Sequence, residues 1–304
     1  MIGTGIITRM NRRLFATLAV PLLLAPAACG QDSKRQATPP QPSAAPIPTV
    51  TPGAACLTAP ERGGLVRFPS DNGASIAGVV LGAGAPGAAA TPSAASGPGS
   101  VNSRPGGAAT GRVGIVLAHQ TQADMCQWVP YGRTLAGLGY TVLAIDLNGY
   151  GASSPSRDNP AHAAYDRDIV AAAAQLRQLG VRAVALIGAS LGGMSAVAAA
   201  AQIAPAPAAV VDLSGPAKLS GTDAAAAAPK VTAPALFLVG ADDSFADDVR
   251  KVSKAATQAK ENRLEVLAGS RAHGVAMLDP ASEPKAAQVS TLIQDFIAKN
   301  ARGA

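Results

Sequence analysis

Aromatic side chains make up only 3% of the 304 residues, with a single tryptophan, and charged residues only 14%. So few aromatics leave little to stack on nucleic-acid bases, and no Lys/Arg block tracks a phosphate backbone. The formal net charge of +6 does not alter this. Arg9, Arg12 and Arg13 fall in the first 28 residues, and without them the balance drops to about +3. A nucleic-acid partner is not expected. Charge this sparse also argues against a charge-driven disordered chain. The three histidines form no pair at helical spacing and the three cysteines no Cys-x-x-Cys, so neither metal nor cofactor is expected. Gly149-Tyr150-Gly151 lacks the remaining features of a dinucleotide fingerprint. Long apolar runs are missing too. The N-terminal LFATLAVPLLLAPAA is shorter than the ~20 residues of a spanning helix and is interrupted by Pro21 and Pro26. Gln202, Pro205 and Pro207 break the alanine-rich stretch 196–211 in the same way.

What is present is alanine, with glycine and proline in clusters. A basic head (Arg12, Arg13), a short apolar core and small residues ahead of Cys29 have the anatomy of a secretory signal over residues 1–28. The segment resembles a bacterial lipoprotein signal, in which Cys29 is the lipidated first residue of the mature chain. Pro26-Ala27-Ala28 lacks the usual aliphatic residue at its first place, and ordinary cleavage nearby is the alternative. Export is expected by either route. The protein is then lipid-anchored on the outer face of the bacterial membrane, its sole membrane contact, or else secreted. Residues 29–60, rich in Pro, Ala, Ser and Thr, read as a semi-extended tether. Residues 61–304 read as one folded domain, with residues 82–111 as a low-complexity surface insertion. With Cys29 lipidated, Cys56 and Cys126 are the thiols left in an oxidising compartment and are candidates for a disulfide; two separate buried thiols are the alternative.

From Gly64 onward apolar runs of strand length occur at 75–81, 113–118, 141–145, 183–187, 208–213, 235–239 and 263–267. Segments of helical length occur at 131–137, 165–179, 191–202, 247–259 and 285–299. Nearly continuous Val/Ile/Leu strands alternating with helices predict an α/β fold, a mostly parallel central sheet flanked by helices.

Gly188-Ala189-Ser190-Leu191-Gly192 follows one of these strands and opens a helix. A Gly-x-Ser-x-Gly in that context makes a nucleophile elbow, in which the tight turn raises the Ser190 hydroxyl and the helix N-terminus aims backbone N–H groups at a developing oxyanion. The alternative is an ordinary serine cap after a glycine-rich turn.

Other pieces fall in a matching order. Leu117-Ala118-His119 ends a strand, Asp146-Leu147-Asn148-Gly149-Tyr150-Gly151 follows the next, and Gly240-Ala241-Asp242-Asp243 and Ala272-His273-Gly274 follow later ones. Together they make the chain resemble an α/β-hydrolase of the serine esterase or dienelactone-hydrolase kind from about Arg67 to Phe296. That resemblance implies Ser190 as nucleophile and His273, last in the order Ser, acid, His, as base. It implies Asp243 as the acid that orients His273, with Asp212 in reserve. It also implies backbone donors at Leu191 and, after His119, at Thr121. Gln120 stands where the family has glycine, which constrains the turn. His119 is then a structural hydrogen-bonding residue, and His162 a loop residue of no fixed role. Trp128 either shapes a pocket wall or packs on the following helix.

The function so implied is cleavage of a carboxylic ester, or a related acyl bond, in a small-molecule or polymeric substrate. An inactive binding protein on the same scaffold and a cell-envelope acyltransferase with the same nucleophile are the alternatives. About twenty residues separate the strand ending near Leu213 from the one starting at Ala235. That leaves no room for a large cap domain and predicts an open site.

Overall fold

The central strands are runs dominated by Val, Ile, Leu and Ala and buried on both sides, which a sheet covered on both faces satisfies. The computed structural model describes residues 54–82, 113–157 and 163–301. The signal segment, Cys29, residues 29–53 of the tether, residues 83–111 of the insertion, and His162 lie outside the described residues.

A 3-10 turn at Ala54–Cys56 and a short helix α1 (Ala59–Arg62) lead into β1 (Leu65–Pro69) and β2 (Ser75–Leu81). There follow β3 (Val113–Ala118), α2 (Val129–Gly137), β4 (Thr141–Ile145), α3 (Tyr165–Gln178), β5 (Ala183–Ala189), α4 (Leu191–Ala200) and β6 (Ala209–Leu213). A small hairpin, β7 (Lys218–Leu219) and β8 (Thr222–Asp223), and the one-turn α5 (Ala224–Ala227) fill the space where a cap domain would insert. The chain closes with β9 (Ala235–Gly240), α6 (Ala246–Ala255), β10 (Asn262–Leu267) and α7 (Ala286–Ala301).

The eight-stranded sheet has the order β1-β2-β4-β3-β5-β6-β9-β10. The six strands from β4 to β10 are parallel, and β2 pairs antiparallel with both β1 and β4. This is the fold expected, and no large cap is present among the described residues.

Alternation along each strand splits the core in two. Val116, Leu143, Ile145 and Leu186 face α3, α4 and α6, meeting Leu176, Met194, Val197 and Val252. Ile115, Leu117, Val142 and Ile187 face α2 and α7, meeting Leu135, Ile293 and Phe296. All ten residues of α4 are buried, and its small side chains let it lie close on β5 and β6. Close approach through alanine thus replaces the aromatic packing the composition lacks. Helix α6 ends at Ala255, short of the expected 259, because the Asn262 carboxamide donates to the Ser253 and Ala256 carbonyls and stops the helix there.

Register decides where chemistry can sit. Ala118 lies beside both Ile145 and Gly188, Ala189 beside Leu213, Leu213 beside Leu238, and Leu267 beside Gly240. The carboxyl ends of β3, β4, β5, β6, β9 and β10 therefore form one rim. Ser190, Ser214, Asp243 and His273 all follow strands that end on it, where open α/β sheets bind ligands.

Candidate active site

Ser190 sits between β5 and α4 with φ 49° and ψ −113°, a strained backbone for a residue with a side chain. Its amide donates to the Leu213 carbonyl at 2.8 Å, which ties the turn to the neighbouring strand. The flanking glycines are required by space. A Cβ on Gly188 would collide with the Gly192 carbonyl, and one on Gly192 with the Ala118 carbonyl. Leu191 is the first residue of α4, so its amide has no acceptor within the helix and faces the rim.

His273 Nδ1 lies 2.9 Å from Asp243 Oδ2 and 3.2 Å from Oδ1. The Asp243 side chain is 2% exposed and that of His273 31%. Phe245 packs against the imidazole with ring centroids 5.3 Å apart. Burial alone would raise the Asp243 carboxyl, but hydrogen bonds from His273, Ser214 and the Phe245 amide outweigh it and hold the group below its usual value. Asp243 is thus kept ionised beside the imidazole. The sequence did not single out Ser214. It follows β6 with φ 60°, is fully buried, and its Oγ accepts the Gly274 amide at 3.1 Å.

Asp212, the reserve acid, makes no hydrogen bond to His273. Its Oδ1 accepts the Gly215 amide at 2.8 Å, and its Oδ2 has no hydrogen-bond partner. A Cβ on Gly193 or Gly215 would strike this carboxylate, so two glycines wall it in. Burial pushes it up to about 7, opposed by the Gly215 amide and the nearby His273.

The turn after β3 is pinned at several points. His119 is fully buried; its Nε2 accepts the Leu147 amide at 3.0 Å, so its Nδ1 carries the proton and donates to the Gln120 carbonyl at 2.7 Å. Burial lowers its pKa, keeping the ring neutral and structural. The Gln120 amide donates to Gln127 Oε1 at 3.2 Å, and Gln120 Oε1 is buried without a partner. A Cβ on Gly274 would meet Gln120 Oε1 and the Ala189 side chain, which puts the glutamine between the elbow and the histidine loop. The left-handed residue of this turn is Gln122, at φ 59°, so Gln120 does not bear the conformational burden. Thr121 is exposed, and its amide has no acceptor among the described residues.

Asp146, after β4, accepts the Met125 amide at 2.7 Å and the Ala152 amide at 2.8 Å, so it joins this loop to the glycine turn. A disulfide between Cys56 and Cys126 fastens the same loop to the N-terminal turn. Trp128 is fully buried and packs near Tyr131, with ring centroids 6.1 Å apart.

Residues 114–231 match the family model described as the alpha/beta hydrolase fold. No curated protein matches the chain. Among solved structures, an esterase of Pyrococcus furiosus superposes with a TM-score of 0.56 at 14% identity, over 77% of this chain and 89% of that one. An enol-lactonase of Burkholderia xenovorans gives 0.54 at 14% identity, over 76% and 99%. A structure from Nitrososphaera gargenis, described with its carboxylesterases, gives 0.55 at 14% identity, over 79% and 100%. These likenesses concern the fold. The rim geometry, the sheet order and the matched segment agree: the chain has the alpha/beta-hydrolase fold.

Proposed function

We propose that the protein is a serine hydrolase of carboxylic esters, with Ser190 as nucleophile, His273 as base and Asp243 as the acid that holds His273. The observation carrying this reading is the 2.9 Å contact of His273 Nδ1 with Asp243, on the same rim as a serine in a strained strand-to-helix turn. With Nδ1–H committed to Asp243, Nε2 is the free base for the Ser190 proton. Ser190 Oγ attacks the acyl carbon, and the Leu191 and Thr121 amides stabilise the oxyanion. His273 returns the proton to the leaving alkoxide, and water then frees the acyl enzyme through the same base. Because the space between β6 and β9 holds only a small hairpin, one helical turn and a 3-10 turn at Ala228–Lys230, an ester on a small molecule or a polymer can reach the rim. Export through residues 1–28, with Cys29 as a lipid anchor or with simple secretion, would place this activity outside the cell membrane.

Hydrolysis of p-nitrophenyl esters and labelling by a fluorophosphonate test the reading. Wild-type protein should give a burst and a covalent adduct, and Ser190→Ala neither. Undiminished turnover in Ser190→Ala would remove Ser190 as nucleophile. A folded wild-type protein inert in both assays would point to a binding protein, and acyl transfer to an added alcohol in preference to water would point to an acyltransferase.

A further inference from the structure

At the amino ends of the parallel strands, the edge opposite the candidate active site, lies a groove of about 790 Å³. It follows four neighbouring strands in sheet order: Ala183 opens β5, Ala208 precedes β6, Pro234 precedes β9 and Glu261 precedes β10. The seven residues of β5 span roughly 20 Å between this edge and Ser190, and no candidate catalytic residue lines the groove. Its size falls in the range typical of small-molecule sites, roughly 300–1,000 Å³.

The lining is basic. Arg177, Arg182, Lys260 and Lys299 contribute to it, with Glu261 the one acid. The described residues taken together carry as many acidic as basic side chains, so this excess is local. Two of the cations are accounted for by the fold. Arg177 donates to the Ala204 and Pro205 carbonyls at 3.2 and 2.8 Å, and Lys299 pairs with both Glu261 oxygens at 2.8 and 2.9 Å. Both also lie in the last turn of a helix, where positive charge offsets the helix dipole.

Neither reason covers Arg182 or Lys260. They lie outside the helices and are exposed, and their side chains have no hydrogen-bond or ion partner among the described residues. The one carboxylate in the groove is already neutralised by Lys299. Pro205, Pro207 and Pro234 line it as well, with fixed φ and no N–H to offer, so the free polar groups are cationic.

We infer that this groove is a binding site for a phosphate-bearing anion, held by the side chains of Arg182 and Lys260. A phosphate monoester carries a charge of about −1.5 to −2 at neutral pH and presents three acceptor oxygens. A guanidinium can take two of these in parallel, and an ammonium from another segment can meet the third. A single carboxylate would leave one of the two cations unmatched. The phosphate can belong to a free phosphoester or to a lipid headgroup, since both offer the same group. Binding here does not depend on Ser190, and Ser190→Ala should bind as wild type does.

Calorimetric titration of the full chain with glycerol 3-phosphate tests this, with acetate at matched ionic strength as the comparison. Wild-type protein should bind glycerol 3-phosphate saturably, and acetate at least about tenfold more weakly. Arg182→Gln and Lys260→Gln should each weaken binding by about tenfold, and the double variant by more. Both side chains are exposed and unpartnered, so the variants should melt at the wild-type temperature and a loss of binding is not a loss of fold. Vesicles of phosphatidylcholine with and without phosphatidic acid separate the two sources. Sedimentation with the acidic vesicles that the double variant loses assigns a lipid headgroup; binding of glycerol 3-phosphate without it assigns a free phosphoester. Binding of neither, equal affinity for acetate, or an affinity unchanged in the double variant would overturn the proposal.

Discussion

The Oγ of Ser214 accepts the Gly274 amide at 3.1 Å. A serine after β6 therefore anchors the loop that carries His273, and it helps hold the Asp243 carboxyl below its usual value. One side chain fixes the acid and the base relative to each other.

Replacing it tests that role. Ser214→Ala leaves the buried Gly274 amide without its acceptor, at a cost of about 1–3 kcal/mol. A loss of that size predicts a fall in kcat/KM of roughly 10- to 100-fold, with fluorophosphonate labelling of Ser190 slowed in step. Circular dichroism should be unchanged. A variant with full activity would show that Asp243 and His273 hold their geometry without it.

The buried carboxyl of Asp212 makes stability depend on pH in a stated direction. Its folded value is pushed up to about 7 by burial, whereas an unfolded aspartate titrates near 3.9, about its ordinary value. Between these values the folded state holds a proton that the unfolded state has lost. Stability therefore falls as pH rises through this window, by at most about 1.4 kcal/mol per unit, and levels off above it. Asp212→Asn, which keeps an acceptor for the Gly215 amide, should make the slope shallower than in wild type. Melting temperatures of both proteins from pH 5 to pH 8 check this; parallel curves would refute the assignment.

The strand runs were legible because a parallel sheet buries both faces and leaves continuous apolar segments. Strand β1 was not, because Leu65-Val66-Arg67-Phe68-Pro69 is an edge strand with one buried residue, an exposed arginine and a proline. Ser190, Asp243 and His273 could be singled out because each follows a strand and their order along the chain carries information. Ser214 and Gln127 could not. The Ser214 bond to the Gly274 amide joins loops brought together by sheet register, and the Gln127 bond to the Gln120 amide depends on how a single irregular loop folds back on itself; neither contact follows a periodic spacing. The glycine missing at Gln120 proved a poor guide as well, since the left-handed residue lies two positions later, at Gln122.

Gln127 holds the turn through its bond to the Gln120 amide, so removing it should loosen the second oxyanion donor without touching the nucleophile. For Gln127→Ala we expect kcat to fall by about tenfold, the size of one weakened donor at a site where full removal costs 100-fold or more. Labelling by a fluorophosphonate, whose attack also develops charge on oxygen, should slow equally. Gln127→Glu retains an acceptor for the Gln120 amide and should recover part of the loss. If the glutamate variant is no better than the alanine one, the effect lies in packing and not in this bond.

The Cys56–Cys126 bond ties the N-terminal turn at Ala54–Cys56 to the loop next to Gln127, across a sequence separation of 70 residues. A cross-link of this span is worth about 4 kcal/mol by the entropy it removes from the unfolded chain. For a domain of this size that corresponds to a fall of roughly 10 °C in melting temperature on reduction. The loop also has non-covalent ties, since Asp146 takes the Met125 amide and Asp124 the Cys126 amide, so reduction should weaken the protein without unfolding the turn. Activity at 25 °C should therefore survive a reductant that lowers the melting point. The double variant Cys56→Ser/Cys126→Ser separates bond from reagent: it should melt at the reduced protein's temperature and ignore added reductant. A reductant effect of equal size in that variant would mean that the bond is not what holds this end of the molecule together.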